Sequence, residues 1–598
     1  MLKFPYGNCN FYQIITEHYF YIDRTDLIHQ LERAGTQLLF LRPRRFGKSL
    51  LLSMLENYYD VARVDEFDPL FGQLAIGNNP TPKHNQYFVM KWDFSVINPQ
   101  GEAREIQAAL YRYINNSIQD FASYYRAQLP ETIPIEPEDA LISWQSLLRV
   151  IRQTPYPLYL LIDEYDNFAN ELMMGSRKLS HNRYKALLYG EGCLKVLFKA
   201  IKAASAGRGL ERVFITGVSP VVLSDMTSGY NVAKNIYLNP QFNALCGFLE
   251  AEIAEIVQQI VTDCELPAER TVETLNLIRS SYNGYCFSEQ LETTVYNPTL
   301  ALYFLAYFQD TCQYPRQLLD SNLAMDRSKI TYISQLPAGE SLILAALNED
   351  TPLHITQLAD RFGIEDMLTT HKDTTFMVSL LYYFGVLTLN GETELGKLCL
   401  KIPNLVIRKL YVEQLLEMIL PEVQTREEAY QHAEHFYQTG ELQPLCEFIE
   451  QHYFKIFDNR DYRWANELTV KTAFLTVLFN DRFYIMDSET TLARHYADLT
   501  LLVRPEMRRY PLLDIIMEFK YVSLAAAGLT GAQAQQLTPD QITTLPLIQQ
   551  KLTEATQQLA HYRQALVAQY GSVLQLRSYC VVALGFERLV WFLVDDYE

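Results

Sequence analysis

The sequence predicts an α/β chain in three successive parts: a mostly parallel sheet covered by helices, a helical middle, and a smaller αβ unit. Three observations predict it. Short apolar runs at 36–42 (TQLLFLR), 86–92 (QYFVMKW), 157–162 (PLYLLI) and 212–216 (RVFIT) alternate with stretches of helical spacing. Strands that alternate with helices belong to a parallel sheet buried on both faces. From about 246 to 460 helical spacing takes over, in EAEIAEIVQQIV, NPTLALYFLAYF and VIRKLYVEQLLEMIL, without a fixed repeat. Near 465 an αβ pattern returns. ANELTVKTAFLTVLF reads as a helix, ADLTLLV and DIIMEFKYV as strands, about 548–568 as a helix, and SYCVVALGF and LVWFLV as strands. The expected parts are therefore 1–245, 246–460 and 461–598. The stretch 523–546, rich in Ala, Gln, Thr and Gly, reads as an inserted loop or mobile helix in the last part.

Composition narrows the function classes. The 598 residues are 48% hydrophobic and 20% charged, the balance of a globular chain with ample core. The net charge of −19 argues against coating nucleic acid with the whole surface, because phosphate binding needs Lys and Arg. It does not exclude a local basic groove, and from 461 onward, with 12 basic and 15 acidic residues, the chain is less acidic than upstream. Nine scattered cysteines without a Cys-x-x-Cys suggest free buried thiols in a reducing cytoplasm rather than a zinc site or disulfide framework. No apolar run reaches the roughly 18 residues that span a membrane, so the expected location is cytoplasmic.

The first chemical motif follows the first strand and opens a helix: Arg42-Pro43-Arg44-Arg45-Phe46-Gly47-Lys48-Ser49. In a phosphate-binding loop Gly47 lets the backbone approach the phosphates, Lys48 neutralises their oxygens and the Ser49 hydroxyl ligates Mg²⁺. Arg42 stands where the first glycine is expected. Leu160-Leu161-Ile162-Asp163-Glu164, an apolar strand ending in paired acids, supplies the matching element: Asp163 for the Mg²⁺ shell and Glu164 to polarise the attacking water. Read alone, it is equally a buried strand with a polar end. Thr216, closing the strand Val213–Thr216, stands where a phosphate sensor would. Arg44 and Arg45 read either as nucleotide contacts or as ion-pair partners.

A second constellation lies near the C-terminus. Asp498 precedes Glu518-Phe519-Lys520 by about 20 residues, and strand alternation puts Glu518 and Lys520 on one face with Phe519 opposite. Two carboxylates and an ammonium on neighbouring strands suit metal-assisted phosphodiester hydrolysis, with Asp498 and Glu518 as Mg²⁺ or Mn²⁺ ligands and Lys520 orienting the water. By spacing alone they also read as a solvated strand-end ion pair.

The segments FPYGNCNFYQII, YFYIDRTDLIHQL, FLRPRRFGKSLLLSML, LLIDEYDN, FITGVSPV, SYNGYCFS with VYNPTLALYFL, and LLYYFGVLTL with LKIPNLVIRKLY run in order along nearly the whole chain. In them the sequence resembles the bacterial AAA-ATPase-like family whose C-terminus carries a PD-(D/E)XK nuclease-type domain. The resemblance implies a P-loop ATPase core at 1–245, a helical lid and connector at 246–460, and a nuclease-type domain at 461–598. It implies that RPRRFGKS is a family trait and that Asp23 and Thr25 lie near the nucleotide pocket. It also implies that Glu489 is the upstream acid of the nuclease motif and Gln558 its helical Gln-x(3)-Tyr element. The expected cofactors are ATP and Mg²⁺, with Mn²⁺ as an alternative at the nuclease site. The expected partner is nucleic acid, DNA ahead of RNA, without a membrane; a homo-oligomer is left open. The expected activity is ATP-coupled cleavage of phosphodiester bonds. The alternative is an ATP-controlled switch that binds nucleic acid or protein and does not cut.

Overall fold

The computed structural model describes residues 1–97, 103–167, 192–220, 231–290, 293–319, 324–348, 352–359, 362, 373–455, 467–486 and 497–594. The chain divides into two compact units. One comprises Met1–Cys312, Tyr332–Gly339 and Leu353–Pro403; the other comprises Gln313–Thr331, Glu340–Pro352 and Asn404–Glu598. The helical stretch expected between 246 and 460 is thus shared between the two.

In the first unit, β1 (Gln37–Leu41), β2 (Phe88–Asp93), β3 (Leu158–Asp163), β4 (Leu210–Gly217) and β5 (Lys234–Asn235) form a parallel sheet in the order β2-β3-β4-β1-β5. The α/β expectation holds here, and all six residues of β3 are buried, as a strand covered on both faces requires. Helix α1 (Lys48–Tyr59) packs on β2 and β3, and α2 (Ala103–Tyr124) on β2. α3 (Ala140–Ile151) starts where the Asp139 side chain accepts a hydrogen bond from the Leu141 N–H, and its Trp144 packs on Trp92. Because β4 lies between β1 and β3, the loops after these three strands emerge side by side. That is where an open α/β sheet places its ligands.

Among the further described helices of this unit are α4 (Glu250–Asp263) and α5 (Pro298–Thr311), the latter with Asn297 as its cap and Pro298 in its first turn. A small antiparallel sheet, β6 (Leu353–Ile355), β7 (Thr388–Glu392) and β8 (Leu398–Lys401), has the order β6-β8-β7. Tyr382, Tyr383 and Phe384 are buried.

The second unit has its own sheet, in the order β13-β12-β11-β10-β9: β9 (Tyr484–Met486), β10 (Leu499–Val503), β11 (Asp514–Val522), β12 (Leu576–Leu584) and β13 (Arg588–Leu593). Only the β11–β12 pair is parallel. A parallel pair needs a long crossover, and α7 (Pro546–Tyr570) within residues 523–575 supplies it, lying on both strands. Helix α6 (Glu467–Leu478) also packs against β11, with Phe474 on Phe519 at 5.0 Å.

Two expectations are corrected. The stretch 523–546 folds into three short helices, Leu524–Ala527, Gly531–Gln536 and Pro539–Thr543, the last two closed by capping boxes at Thr530 and Thr538. Ala534 and Ile542 are buried in one cluster with Val522, Leu559 and Leu584, so sparse apolar residues at helical spacing anchor a polar segment. The cysteines are not all free: Cys264 and Cys312 are joined by a disulfide, with Cα atoms 5.8 Å apart. Each follows the last residue of a helix, α4 and α5, and the 48-residue separation hides a proximity that only helix packing creates. The other seven form no disulfide, with Cys9 exposed and the rest buried. Among the described residues no helix is long and apolar enough to cross a membrane.

Candidate functional site

Strand β1 delivers the chain into the loop 42–47, where Arg45 (φ 67°) and Gly47 (φ 87°) both take the left-handed conformation before α1 begins. Gly47 does so without steric cost. A left-handed Arg is strained, and such residues cluster at functional sites. The Lys48 ammonium donates to the Arg42 and Pro43 carbonyls at 3.0 and 3.1 Å, curling the loop around itself.

Arg42, in place of a glycine, is a structural pin. Its guanidinium, 1% exposed, donates to the carbonyls of Leu41 (2.8 Å), Tyr237 (2.8 Å) and Phe242 (2.7 Å) and lies between the rings of Phe40 and Phe287. Burial pulls its pKa down to about 10, which leaves it charged at neutral pH. The loop is braced elsewhere too. Phe46 packs edge-on against Tyr285 and Phe287, the Thr299 hydroxyl of α5 donates to the Arg45 carbonyl, and Gly385 leaves the space that Pro43 fills.

The predicted Mg²⁺ residues converge. Asp163, at the end of β3, accepts from the Ser49 hydroxyl on Oδ2 (2.6 Å) and from the Thr216 hydroxyl on Oδ1 (2.6 Å). Three residues separated by up to 167 positions thus meet on one carboxylate. Glu164 follows with φ 51°, and burial pushes its carboxyl up against the opposing pull of Lys48 and Arg44. A cavity of about 300 Å³ opens over the loop, lined by Arg45, Gly47, Lys48, Ser49 and Glu164 and by Tyr21, Ile22 and Phe248. Asp23 and Thr25 do not line it. Asp23 accepts from the Thr25 hydroxyl and N–H and from the Ala75 N–H, and so fixes the turn that sets Ile22 and Arg24 at the cavity wall.

Sequence reasoning missed two groups here. Asp166 accepts from the N–H groups of Val218 and Ser219 and from the Ser219 hydroxyl, tying the loop after β3 to that after β4. Arg24, at the cavity wall, forms a two-pronged ion pair with Glu252 of α4 at 2.6 and 2.8 Å. The Asp166 signal was present in Asp163-Glu164-Tyr165-Asp166, a third acid just beyond the pair.

In the second unit the antiparallel register sets Leu499 across from Met517, so Asp498 falls opposite Glu518. The Asp498 Oδ2 accepts from the Phe519 N–H at 2.8 Å. Phe519 faces α6, while Glu518 and Lys520 share the other face of β11, as alternation predicts. The Lys520 ammonium donates to Glu518 at 2.9 Å and to Glu467 of α6 at 3.2 Å. Glu518 is 3% exposed, and burial together with the facing Asp498 pushes its carboxyl up to about 7. Its two acidic neighbours hold the Lys520 ammonium above its ordinary value.

Glu518 Oε2 is buried and accepts no hydrogen bond from any described group. The orphaned oxygen and the facing Asp498 carboxylate are the two donors that bear on the expected metal. Among the described residues, however, no group of three or more His, Cys, Asp or Glu side chains is arranged to hold one. Glu489 lies outside the described residues. Gln558 is exposed on α7, one face with Lys551 and Glu554. Glu467 and Lys471 were not foreseen, although an acid and a base four residues apart in an otherwise apolar helix were the available signal.

Among curated proteins, the "Uncharacterized protein in vnfD 5'region" of Azotobacter chroococcum mcd 1 is 25% identical over 443 residues, 70% of this chain and 71% of that one. Among solved structures, the Orc1 protein of Aeropyrum pernix in complex with DNA has 11% identity and a TM-score of 0.25, covering 68% of this chain and 96% of its own. Cdc6p from Pyrobaculum aerophilum has 14% identity and a TM-score of 0.24, covering 68% and 94%. Residues 5–227, which contain Lys48, Ser49, Asp163, Glu164 and Thr216, match the AAA-ATPase-like family, described as Predicted AAA-ATPase, and the N-terminal region of this chain is similar to that family over this range.

Proposed function

We propose that the chain binds and hydrolyses ATP in the cavity over residues 42–49, and that this controls a Mg²⁺-dependent nuclease-type unit acting on phosphodiester bonds of DNA, or else RNA. The observation that carries the nucleotide half is the convergence of Ser49 and Thr216 on Asp163 beside Lys48. Lys48 and the N–H groups opening α1 would hold the phosphates, and Ser49 and Asp163 the Mg²⁺ shell. A bound Mg²⁺ supplies charge neutralisation at the transferring phosphoryl group. Glu164, with its proton affinity raised by burial, orients and accepts a proton from the attacking water at its carboxylate. Tyr21, Ile22 and Phe248 offer the apolar wall that a nucleoside base needs.

For the second unit the reading rests on Asp498, Glu518 and Lys520 meeting at one sheet position. Asp498 and Glu518 would hold Mg²⁺ or Mn²⁺, whose chemistry is Lewis-acid activation of water and phosphate. Lys520 would orient the water, and Gln558 would contact the substrate from α7. A second reading keeps the nucleotide site and makes the second unit a non-cutting binding module; it is favoured by the pairing of Asp498 with Lys471 at 3.5 Å and the small described donor set. Purified protein incubated with plasmid, single-stranded DNA and RNA, with and without ATP and divalent metal, separates the two. Metal-dependent cleavage that Asp498→Asn abolishes supports the nuclease; binding without cleavage supports the module.

A further inference from the structure

Glu164 holds a backbone conformation, φ 51°, that a residue with a side chain keeps only where its surroundings enforce it. The enforcement comes from the end of β4. On one side of Glu164, the Asp163 carboxylate accepts from the Thr216 hydroxyl at 2.6 Å and, on the same oxygen, from the Glu164 N–H at 3.1 Å. On the other side, the Tyr165 N–H donates to the Thr216 carbonyl at 3.1 Å and the Tyr165 hydroxyl donates to the Ser219 carbonyl at 2.6 Å. The chain is thus pinned to β4 both before and after its one left-handed residue.

Asp166 completes the anchor. It is 0% exposed, and both of its oxygens are engaged. Oδ1 accepts from the Val218 N–H at 3.0 Å, and Oδ2 accepts from the Ser219 N–H at 2.7 Å and the Ser219 hydroxyl at 2.8 Å. A carboxylate has acceptor sites for all three donors, whereas an amide has one oxygen and would set its NH₂ against a donor. The contact leaves no room for a side chain on β4 at this point: a Cβ on Gly217 would lie 2.5 Å from Asp166 Oδ1 and from the Tyr165 ring. Asp166 does not line the cavity, while Glu164 does. Its influence on the reaction therefore passes through the residues it holds.

We propose that Asp166 is the positioning residue for Glu164: by clamping the turn after β3 onto the end of β4, it keeps the Glu164 carboxylate aimed at the attacking water, and it serves hydrolysis without serving nucleotide binding. This rests on the nucleotide reading of the first unit. Thr216 and Ser219 stand three residues apart, so the segment that touches the carboxylate expected to hold Mg²⁺ also sets the group expected to activate water.

The test is a double-mutant cycle in the full-length protein, with Asp166→Asn and Glu164→Gln made singly and together. Asp166→Asn should keep ATP affinity, read by calorimetry, and lower kcat by about 10- to 100-fold, the cost of misplacing a reacting group by about 1 Å. In the Glu164→Gln protein the same substitution should change kcat by less than about twofold, because the group it positions has already lost its function. Ser219→Ala removes one of the three donors and should show the same split in lesser degree; it replaces Asp166→Asn in the cycle should that variant not fold by circular dichroism. A folded variant with wild-type kcat overturns the proposal, and so does one whose ATP affinity falls in step with kcat. Losses that multiply in the double variant overturn it too, since Asp166 then acts through something other than Glu164. All three results leave the nucleotide reading standing. Wild-type protein that hydrolyses no ATP overturns that reading itself, and the proposal with it.

Discussion

Arg42→Gly is the substitution on which a motif-based and a structure-based reading part company. By motif it restores the missing glycine of the phosphate loop and should improve nucleotide binding. By structure it removes a buried guanidinium that donates to three carbonyls within 2.8 Å, at Leu41, Tyr237 and Phe242. Charge-assisted hydrogen bonds contribute about 1.5–3 kcal/mol each. Part of that is offset by the cost of burying the charge, while each carbonyl left without its donor costs about 1–3 kcal/mol, for a net loss of about 4 kcal/mol. At about 2.1 cal/mol/K per residue over the roughly 370 residues of the first unit, 4 kcal/mol lowers its Tm by about 5 °C. Differential scanning calorimetry with parallel ATP titration reads both quantities. An Arg42→Gly protein as stable as wild type, or one that binds ATP more tightly, refutes the assignment of Arg42 as a pin.

Glu164→Gln should keep ATP affinity within a few-fold and lower the steady-state hydrolysis rate by about 100-fold, since it removes a water-polarising carboxylate and no phosphate contact; phosphate release measures it. The Glu518 carboxyl is raised from 4.5 to about 7, so its contribution to stability is full below about pH 4.5 and is lost as pH rises through 7. Thermal melts of Glu518→Gln across that window should show a flatter pH dependence than wild type, and an identical slope counts against the buried, Asp498-facing environment. Reducing Cys264–Cys312 opens a loop of 48 residues and should lower stability by at most about 4 kcal/mol in the chain-entropy account. Calorimetry with and without a phosphine reductant checks it, with no shift contradicting the bond.

Much of this architecture was legible because the relevant signals are local. Strands β1 to β4 of the first sheet are largely apolar runs of five to eight residues, and burial on both faces is written into their composition. Glu518 and Lys520 share a face by period alone. Asp163 and Ser49 could be paired because the loop and the acid-tipped strand have recognisable forms. What stayed hidden is set by packing between distant segments. Arg42 looked like a defect in a motif, because its partners lie almost 200 residues away at Tyr237 and Phe242. Cys264 and Cys312 gave no spacing signal, since their proximity follows from two helices ending side by side. Lys471 and Glu467 sit in a helix that reads as plain core until its first turn is placed beside β11. The insert 523–546 misled by composition: Gln and Thr, polar overall, here provide the caps of short helices whose few apolar residues are buried.

The central claim is that the cavity over Lys48 binds nucleotide, and isothermal titration of ATP with Mg²⁺ into wild-type and Lys48→Ala protein tests it most directly. On the proposed reading Lys48 would make charge-assisted contacts to phosphate, of about 1.5–3 kcal/mol each, so its loss should weaken binding by about 100-fold or more. Wild-type protein that binds ATP, with a folded Lys48→Ala protein that does not at the same concentrations, is the predicted result. Equal affinity in the two proteins, or no ATP binding by the wild type, would contradict the account.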